Sequence, residues 1–427
     1  MSSRTAAPAL ARRLGVTDAT LIGLGSMIGA GVFAAFTPAA QAAGTGLLIG
    51  LVVAALVAFA NATSSAQLAA VYPTSGGTYV YGRERLGPWW GFFAGWSFVV
   101  GKTASCAAMA LTFAAYAAPA GWERPVALAA VVALTVVNLL GITRTALLTR
   151  VIVVFVLAVL AVVVTAAVTS GLPELVPDSG LGAALVANGP YGVLQSAGLL
   201  FFAFAGYARI ATLGEEVREP SRTIPRAIPL ALGITVVVYG AVAVSVLGVL
   251  GAEGVAATPV PLSGAVEAVG WSVAEPVVRA GAAVSSLGAL LALIAGVGRT
   301  TLAMARERDL PRWLAAVHPR FSVPYRAEIA ISIVVLALVA TVDLRGAIGF
   351  SSFGVLLYYV IANAAAVSQS REQRRYPRAV AIFGIAGCLT LVATLPPMSI
   401  VVGLGVLAVG LGYRLARLWA FAPKGDE

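Results

Sequence analysis

"GLGSMIGAGVF", residues 23–33, has four glycines in eleven positions and lies within the first long apolar stretch of the chain. Glycine weakens a helix and lets other groups approach the backbone closely. A membrane helix that unwinds here frees backbone N–H and C=O groups, which hydrocarbon tolerates only where they line protein or a wet cavity. The stretch therefore predicts an interrupted membrane helix whose break is a binding site.

The composition indicates a protein with many membrane helices. Of the 427 residues, 59% are hydrophobic and 11% are charged, and the mean hydropathy is +0.93. A water-soluble protein of this length needs more polar surface. The net charge of +10 is spread along the chain without a phosphate-binding motif, so no nucleic-acid partner is expected. Two cysteines and one histidine give no metal spacing, so no metal and no cofactor are expected.

Twelve membrane spans are predicted, because a helix needs roughly 20 apolar residues to cross the hydrocarbon layer. Their limits are 18–42, 45–71, 89–118, 125–141, 149–170, 190–213, 228–251, 273–304, 327–342, 346–369, 377–395 and 398–420. With the N-terminus inside the cell, only Arg124, Arg279 and Arg345 of the 28 Lys and Arg residues fall in outer loops. Such a bias is typical of cytoplasmic loops. It predicts a plasma (inner) membrane protein with both termini cytoplasmic.

The sixth predicted span contains a second interruption. It reads "LLFFAFAGYARIATLGEEVREP", residues 199–220, with Gly206 inside the apolar part. Matching breaks in two spans are typical of transporters built from inverted repeats, where they lie near the midplane. Freed N–H groups suit a carboxylate and freed carbonyls suit an ammonium. The alternative is that the glycines only allow close helix packing.

Four segments resemble the amino acid–polyamine–organocation superfamily of permeases. Besides residues 23–33, they are "YPTSGGTYVYGRERLGPWWGFFAGW" (72–96), "FFAFAGYARIATLGEEVREPSRTIPRAI" (201–228) and "GRTTLAMARERDLPRWLAAVHPRFSVPYRAEI" (298–329). They follow the family's order along the first ten helices. The resemblance implies an all-α polytopic membrane protein with the leucine-transporter-type fold, in which two inverted five-helix repeats precede two C-terminal helices.

The resemblance also divides the chain and implies a substrate site. The parts are a cytoplasmic segment (1–17), the first repeat (18–170), the second repeat (190–369), helices 11 and 12 (377–420) and a cytoplasmic tail (421–427). The substrate would contact Met27, Ile28, Gly29, Ala30 and Gly31 on helix 1. On helix 6 it would contact Phe202, Ala203 and Ala205, with Phe202 or Phe204 as an aromatic lid.

The resemblance also implies that polar residues on helix 8 can face helix 1, which makes Ser285 and Ser286 candidates to face helix 1 or to hold a cation. The alternative for both is a hydroxyl bonded back to its own helix.

The chain departs from the family at positions linked to ion coupling. Many proton-coupled relatives have a lysine on helix 5, where Val156 is nearest, and a glutamate on helix 3, where Gly101 stands. Lys102 follows directly. A lysine inside a span costs at least ~2.5–3.5 kcal/mol and usually faces the bundle interior. We predict that Lys102 is the proton-coupling group. The alternatives are a fixed charge in a cation site, a structural lysine capped by backbone carbonyls, and a longer span that puts the lysine near the interface.

These patterns predict a secondary active transporter that moves amino acids across the membrane by alternating access. The substrate is expected to be neutral, because no acidic residue lies well inside a span to meet a second ammonium. The proton is the expected coupling ion, with sodium as the alternative. An amino acid/polyamine exchanger and a channel remain as other readings. The spans offer no cluster of His, acids or nucleophiles, so no catalytic residue and no enzyme activity are expected.

Overall fold

The computed structural model describes residues 14–73, 76–141, 146–175, 180–213 and 216–420. Most of the predicted N-terminal segment 1–17, and the whole predicted tail 421–427, lie outside these residues. The described chain is helical apart from its connections. Its α-helices are α1 (Val16–Met27), α2 (Ala30–Ala34), α3 (Phe36–Ala43), α4 (Leu47–Val71), α5 (Thr78–Leu86), α6 (Pro88–Ala117), α7 (Glu123–Leu139), α8 (Ala146–Thr169), α9 (Leu181–Val186), α10 (Gly189–Phe204), α11 (Ala208–Ala211), α12 (Pro220–Ala257), α13 (Pro261–Ala268), α14 (Glu275–Arg306), α15 (Tyr325–Thr341), α16 (Leu344–Val367), α17 (Arg378–Thr394) and α18 (Pro397–Ala420).

Local signals set where several of these helices begin. Pro88 and Pro220 occupy the first turns of α6 and α12, where a missing N–H costs nothing. Asp343 caps α16, since its carboxylate accepts a hydrogen bond from the Gly346 N–H at 2.8 Å. A side-chain acceptor at this position satisfies one of the unpaired donors at the helix start.

Nine helical runs in the described part of the chain are long and apolar enough to cross a membrane. They are Val16–Ala34, Phe36–Val71, Pro88–Ala117, Leu147–Thr169, Gly189–Ala211, Pro220–Ala257, Ser272–Arg306, Leu344–Val367 and Pro397–Trp419. The spans predicted at 125–141, 327–342 and 377–395 coincide with α7, α15 and α17. These helices have 17 residues each and are shorter than the nine. Crossing at these three places stays a prediction.

The long helices form one packed bundle. α6 lies against α14 and α16, α4 lies against α10 and α12, and α1 lies against α8 and α12. Glycines allow the closest of these approaches. A Cβ on Gly354 of α16 would lie 2.7 Å from the Cα of Gly101 on α6, so these helices meet at backbone distance, as small residues permit in membranes. A Cβ on Gly101 itself would lie 3.0 Å from the Ser351 carbonyl oxygen and from the Val355 nitrogen, so this position of α6 is also closely packed.

The predicted interruption of the first span is confirmed. α1 ends at Met27, Ile28 has φ −80° and ψ 52°, Gly29 has φ −99° and ψ −137°, and the helix resumes at Ala30. The second interruption is milder. α10 ends at Phe204 and passes through a 3-10 turn, Ala205–Tyr207, into α11. The sixth span thus changes its pitch without unwinding, because Ala205 keeps nearly helical angles (φ −66°, ψ 5°).

A short parallel bridge joins the two interrupted spans at one end. The Leu14 N–H donates to the Glu216 carbonyl at 3.2 Å, and the Arg218 N–H donates to the Leu14 carbonyl at 2.9 Å. Leu14 lies just before α1, and these partners follow α11. The chain entering the first span is therefore fastened to the chain leaving the sixth.

Candidate functional site

The two interruptions are in direct contact, and each presents a glycine to the backbone of the other. A Cβ on Gly206 would lie 2.3 Å from the carbonyl carbon of Ser26, and a Cβ on Gly31 would lie 2.6 Å from the Cα of Ala203. Any side chain at either glycine would collide with main chain that cannot move aside easily. The glycines therefore serve close backbone contact at the breaks.

The structure brings the predicted residues of both spans together in a closed arrangement. None of the non-glycine members on the first span (Met27, Ile28, Ala30) or the sixth (Phe202, Ala203, Phe204, Ala205) is more than 7% exposed. Gly29 and Gly31 are also buried. In this conformation the breaks are packed shut against each other.

The two candidate lid residues face different sides of α10. Residues two positions apart on a helix do not share a face. The Phe204 ring packs against Tyr239 of α12, with ring centroids 5.1 Å apart. Phe202 instead joins an apolar cluster that includes Ala108 of α6 and Ile348 of α16. Of the two, only Phe202 lies on the side of α6, the helix that carries Lys102.

Side chains from three other helices donate hydrogen bonds to carbonyls at the breaks. The hydroxyl of Tyr239 on α12 lies 2.5 Å from the Met27 carbonyl and 3.1 Å from the Ala203 carbonyl, so it bridges both breaks. Ser285 on α14 donates to the Ile28 carbonyl at 2.9 Å. The ammonium of Lys102 on α6 donates to the Ala205 carbonyl at 3.1 Å.

Of the three predicted residues outside the breaks, the structure brings two into contact with them and leaves one away. Lys102 and Ser285 reach the breaks. Ser286 does not: its hydroxyl is fully buried and has no hydrogen-bond partner among the residues that the structure describes. Lys102 is also buried, as expected for a lysine that faces the bundle interior.

The N–H side of the first break is arranged differently from its carbonyl side. No side chain caps the start of α2, where Gly29 is the N-cap. A hydrogen bond from the Ala35 N–H to the Gly31 carbonyl at 3.0 Å links α2 to α3, so the outer half of this span is one helical rod. Its first N–H groups carry partial positive charge. With Lys102 nearby on the second break, the site has positive character.

Acidic side chains buried within the described ranges lie away from the breaks. Glu328 of α15 packs on Gly298 of α14. Gly298 is 13 positions after Ser285, a distance of about 20 Å along the helix. Asp309 lies in the loop beyond the end of α14. Among the described residues no three His, Cys, Asp or Glu side chains could share a metal ion.

Two tyrosines that donate to main-chain carbonyls of the interrupted spans were not predicted from the sequence. Besides Tyr239, Tyr116 of α6 donates to the Phe33 carbonyl of α2 at 3.1 Å, and its ring meets Phe33 edge-on at 5.7 Å. Both are single tyrosines within apolar runs. A buried tyrosine usually finds a partner for its hydroxyl, so this pattern was the available signal, but it does not say which helix holds the partner.

We expect Tyr239→Phe to destabilise the protein by about 1–3 kcal/mol, because it removes the one hydroxyl proton that the buried Met27 and Ala203 carbonyls share. The thermal unfolding midpoint of the purified protein should fall. Tyr191→Phe, at an exposed tyrosine near the start of α10, is the matched control and should leave the midpoint unchanged. Equal midpoints for the two variants would contradict the bridging role of Tyr239.

Comparison with known proteins identifies the family. The sequence profile of the amino acid permease family matches residues 14–411. An uncharacterized transporter of Mycobacterium tuberculosis is 61% identical over 411 residues, which cover 96% of this chain and 92% of that protein. A branched-chain amino acid permease of Bacillus subtilis is 28% identical (94% and 92% covered), and a serine/threonine exchanger of the same organism is 26% identical (95% and 97% covered). With the apolar helices and the interrupted first span, this match shows that the chain belongs to the amino acid permease family.

Proposed function

We propose that this permease is a secondary active transporter that carries a neutral amino acid by alternating access. The observation that carries the proposal is the meeting of opposite backbone polarities at the two breaks. The uncapped start of α2 offers N–H groups. The Ala205 carbonyl has the opposite polarity and accepts a hydrogen bond from the Lys102 ammonium. Carbonyls and N–H groups side by side suit the amino and carboxylate groups of a zwitterion.

The surroundings of the breaks favour a substrate with an uncharged side chain. A second ammonium on the substrate would need a carboxylate to offset its desolvation, and the buried Glu328 lies about 20 Å along the helices from Ser285. Ala30, Ala203 and Phe202 are apolar.

We propose that the site lies within a twelve-span, leucine-transporter-type fold in the plasma membrane, with both termini in the cytoplasm. The repeats are 18–170 and 190–369, followed by 377–420. Helix pairings support the repeats, because they recur when the halves are exchanged. In chain order, α1, α4, α6, α7 and α8 of the first repeat match α10, α12, α14, α15 and α16 of the second. The contact of α4 with α10 therefore corresponds to that of α12 with α1, and the contact of α6 with α16 corresponds to that of α14 with α8. The pairs α4–α12, α6–α14 and α7–α15 correspond to themselves.

Coupling is assigned to Lys102. With substrate bound, a protonated Lys102 balances the substrate carboxylate, so proton and amino acid cross together. The empty carrier returns with a neutral amine that can still donate to the Ala205 carbonyl. The second candidate is an exchanger. In it Lys102 stays charged, and the carrier cannot return to the other side of the membrane without substrate. The Lys102–Ala205 hydrogen bond fits both, and the two differ in whether the lysine gives up its proton.

Ligand binding to the purified protein tests the substrate class. We expect leucine, valine or serine to raise the unfolding midpoint, whereas arginine and putrescine should not, because ligand binding stabilises in proportion to saturation, by ~2.7 kcal/mol at 100 times Kd. Leucinamide, which lacks the carboxylate, is the matched control and should have no effect. Stabilisation by arginine or putrescine alone would overturn the neutral-substrate assignment.

A further inference from the structure

A cavity of about 480 Å³ lies between the loop after α14 and the C-terminal end of α18. It is lined by three arginines, Arg308, Arg312 and Arg417, together with Leu310 and Tyr413. No acid is among the described residues that line it; of the two acids next to Arg308 in the sequence, Glu307 is paired with Arg83 at 3.2 Å. Guanidinium groups form paired hydrogen bonds with phosphate and keep their charge at all physiological pH values. The lining is therefore suited to a phosphate group.

One of these arginines is placed by an unusual turn. α14 ends in a Schellman motif, in which the Asp309 N–H donates to the Met304 carbonyl at 2.7 Å and the Arg308 N–H donates to the Ala305 carbonyl at 3.2 Å. Arg308 has φ 62°, the left-handed conformation in which glycine is favoured. The chain thus has an arginine at a position where glycine would give a more stable helix end.

The neighbouring acid does not oppose an anion in the cavity. Asp309 is buried and accepts hydrogen bonds from Arg414 at 2.5 Å and from Tyr79 of α5 at 2.8 Å. Arg83 of α5 lies 3.4 Å from the same carboxylate. Burial, followed by the hydrogen bond to Asp309, raises the pKa of Tyr79, which keeps its hydroxyl a donor. The carboxylate of Asp309 is therefore balanced from the side of α5 and α18.

The surface beside the cavity is apolar and aromatic. Val402 and Val409 on α18 are exposed and, at spacings of seven residues, share the helix face of Ala416 in the cavity lining. Trp313 and Trp419 are exposed too. Exposed tryptophans are typical of the headgroup level of a bilayer. These valines extend the apolar face of α18 away from the arginines and give acyl chains a surface to lie on. The whole feature is suited to an amphiphile with a phosphate headgroup.

We propose that this arginine cavity binds the headgroup of an anionic phospholipid, with its acyl chains along α18. The assignment to the cytoplasmic leaflet rests on the topology given with the proposed function, which puts the loop after α14 in the cytoplasm. Basic pockets between membrane helices on that side are known to suit acidic headgroups. The bound lipid would hold the loop after α14 against α18.

Native mass spectrometry of the purified full-length protein with phosphatidylglycerol or phosphatidylcholine tests the proposal. We expect the wild-type protein to retain phosphatidylglycerol, and Arg308→Gly combined with Arg312→Gln to reduce the bound fraction about tenfold. The control Arg320→Gln removes a charge from the same loop outside the cavity and should retain the lipid. Arg308→Gly alone should weaken binding without lowering the lipid-free unfolding midpoint, because glycine suits the turn.

Equal retention of phosphatidylglycerol by the double variant and by Arg320→Gln would overturn the site. A second arm uses inorganic phosphate and glycerol 3-phosphate in the thermal assay. If either stabilises the wild-type protein as much as phosphatidylglycerol does, the cavity takes a soluble phosphate and the lipid assignment is wrong. Leucine binding measured on the same samples keeps this result separate from the transport proposal, since neither Arg308 nor Arg312 lies at the helix breaks.

Discussion

Gly206→Ala should reduce amino-acid uptake into proteoliposomes about tenfold or more. The added methyl group would lie 2.3 Å from the Ser26 carbonyl carbon and 2.5 Å from the Met27 nitrogen, so the two breaks must move apart. Overpacking of this kind costs about 1–3 kcal/mol, and here the cost falls on the backbone that is proposed to hold the substrate. Leucine stabilisation in the thermal assay should be lost together with uptake.

The control for this change is Gly296→Ala on α14. A Cβ at Gly296 meets nothing within 4 Å, and alanine favours a helix over glycine by up to ~1 kcal/mol. This variant should transport normally and be at least as stable as the wild-type protein. If Gly206→Ala also keeps full uptake and leucine binding, the contact between the breaks is not part of the substrate site.

Replacing Lys102 should separate coupling from binding. Lys102→Arg keeps the positive charge and a donor for the Ala205 carbonyl, but an arginine side chain does not lose its proton. We expect this variant to exchange internal for external amino acid, while accumulation driven by an inward proton gradient is abolished. Lys102→Ala should lose accumulation too and should unfold at a lower temperature, because the Ala205 carbonyl loses its donor.

The measurement is uptake of labelled leucine with and without a pH gradient, and with leucine loaded inside the vesicles. Full gradient-driven accumulation by Lys102→Arg would assign the lysine a structural role in capping the break. Accumulation by Lys102→Ala would remove it from coupling altogether. If the wild-type protein shows only exchange, the exchanger reading replaces the symporter.

Much of the fold follows from the sequence because span length and glycine position are local properties. The break at Ile28–Gly29 was predictable from four glycines in an apolar run. The milder turn at Ala205–Tyr207 was predicted as a break, yet Gly206 serves close contact with the Ser26–Met27 peptide rather than unwinding. A glycine can be required for two reasons: its backbone angles are unfavourable for other residues, or a neighbouring main chain leaves no room for a Cβ. The sequence does not show which of the two applies.

The partners of the break carbonyls were only partly predictable. Ser285 and Ser286 are adjacent and chemically alike, and which of them faces the first span depends on the rotation of α14 in the bundle. Tyr239 bridges both breaks from a helix whose apolar run contains no glycine pattern or charge that marks a site. Lys102 was predictable because a charge inside a span demands a partner; that the partner is the Ala205 carbonyl is a matter of three-dimensional packing.

The bridge between Leu14 and Val217 limits how a gate at that end of the bundle can open. Two main-chain hydrogen bonds tie the segment before α1 to the segment after α11, and breaking them would cost about 0.5–1.5 kcal/mol each. If the segment before α1 and the segment after α11 move together as one rigid body, neither hydrogen bond is broken. Such a movement needs two hinges that bend at the same time. One would lie at Ile28–Gly29 in the first span and the other at the 3-10 turn in the sixth.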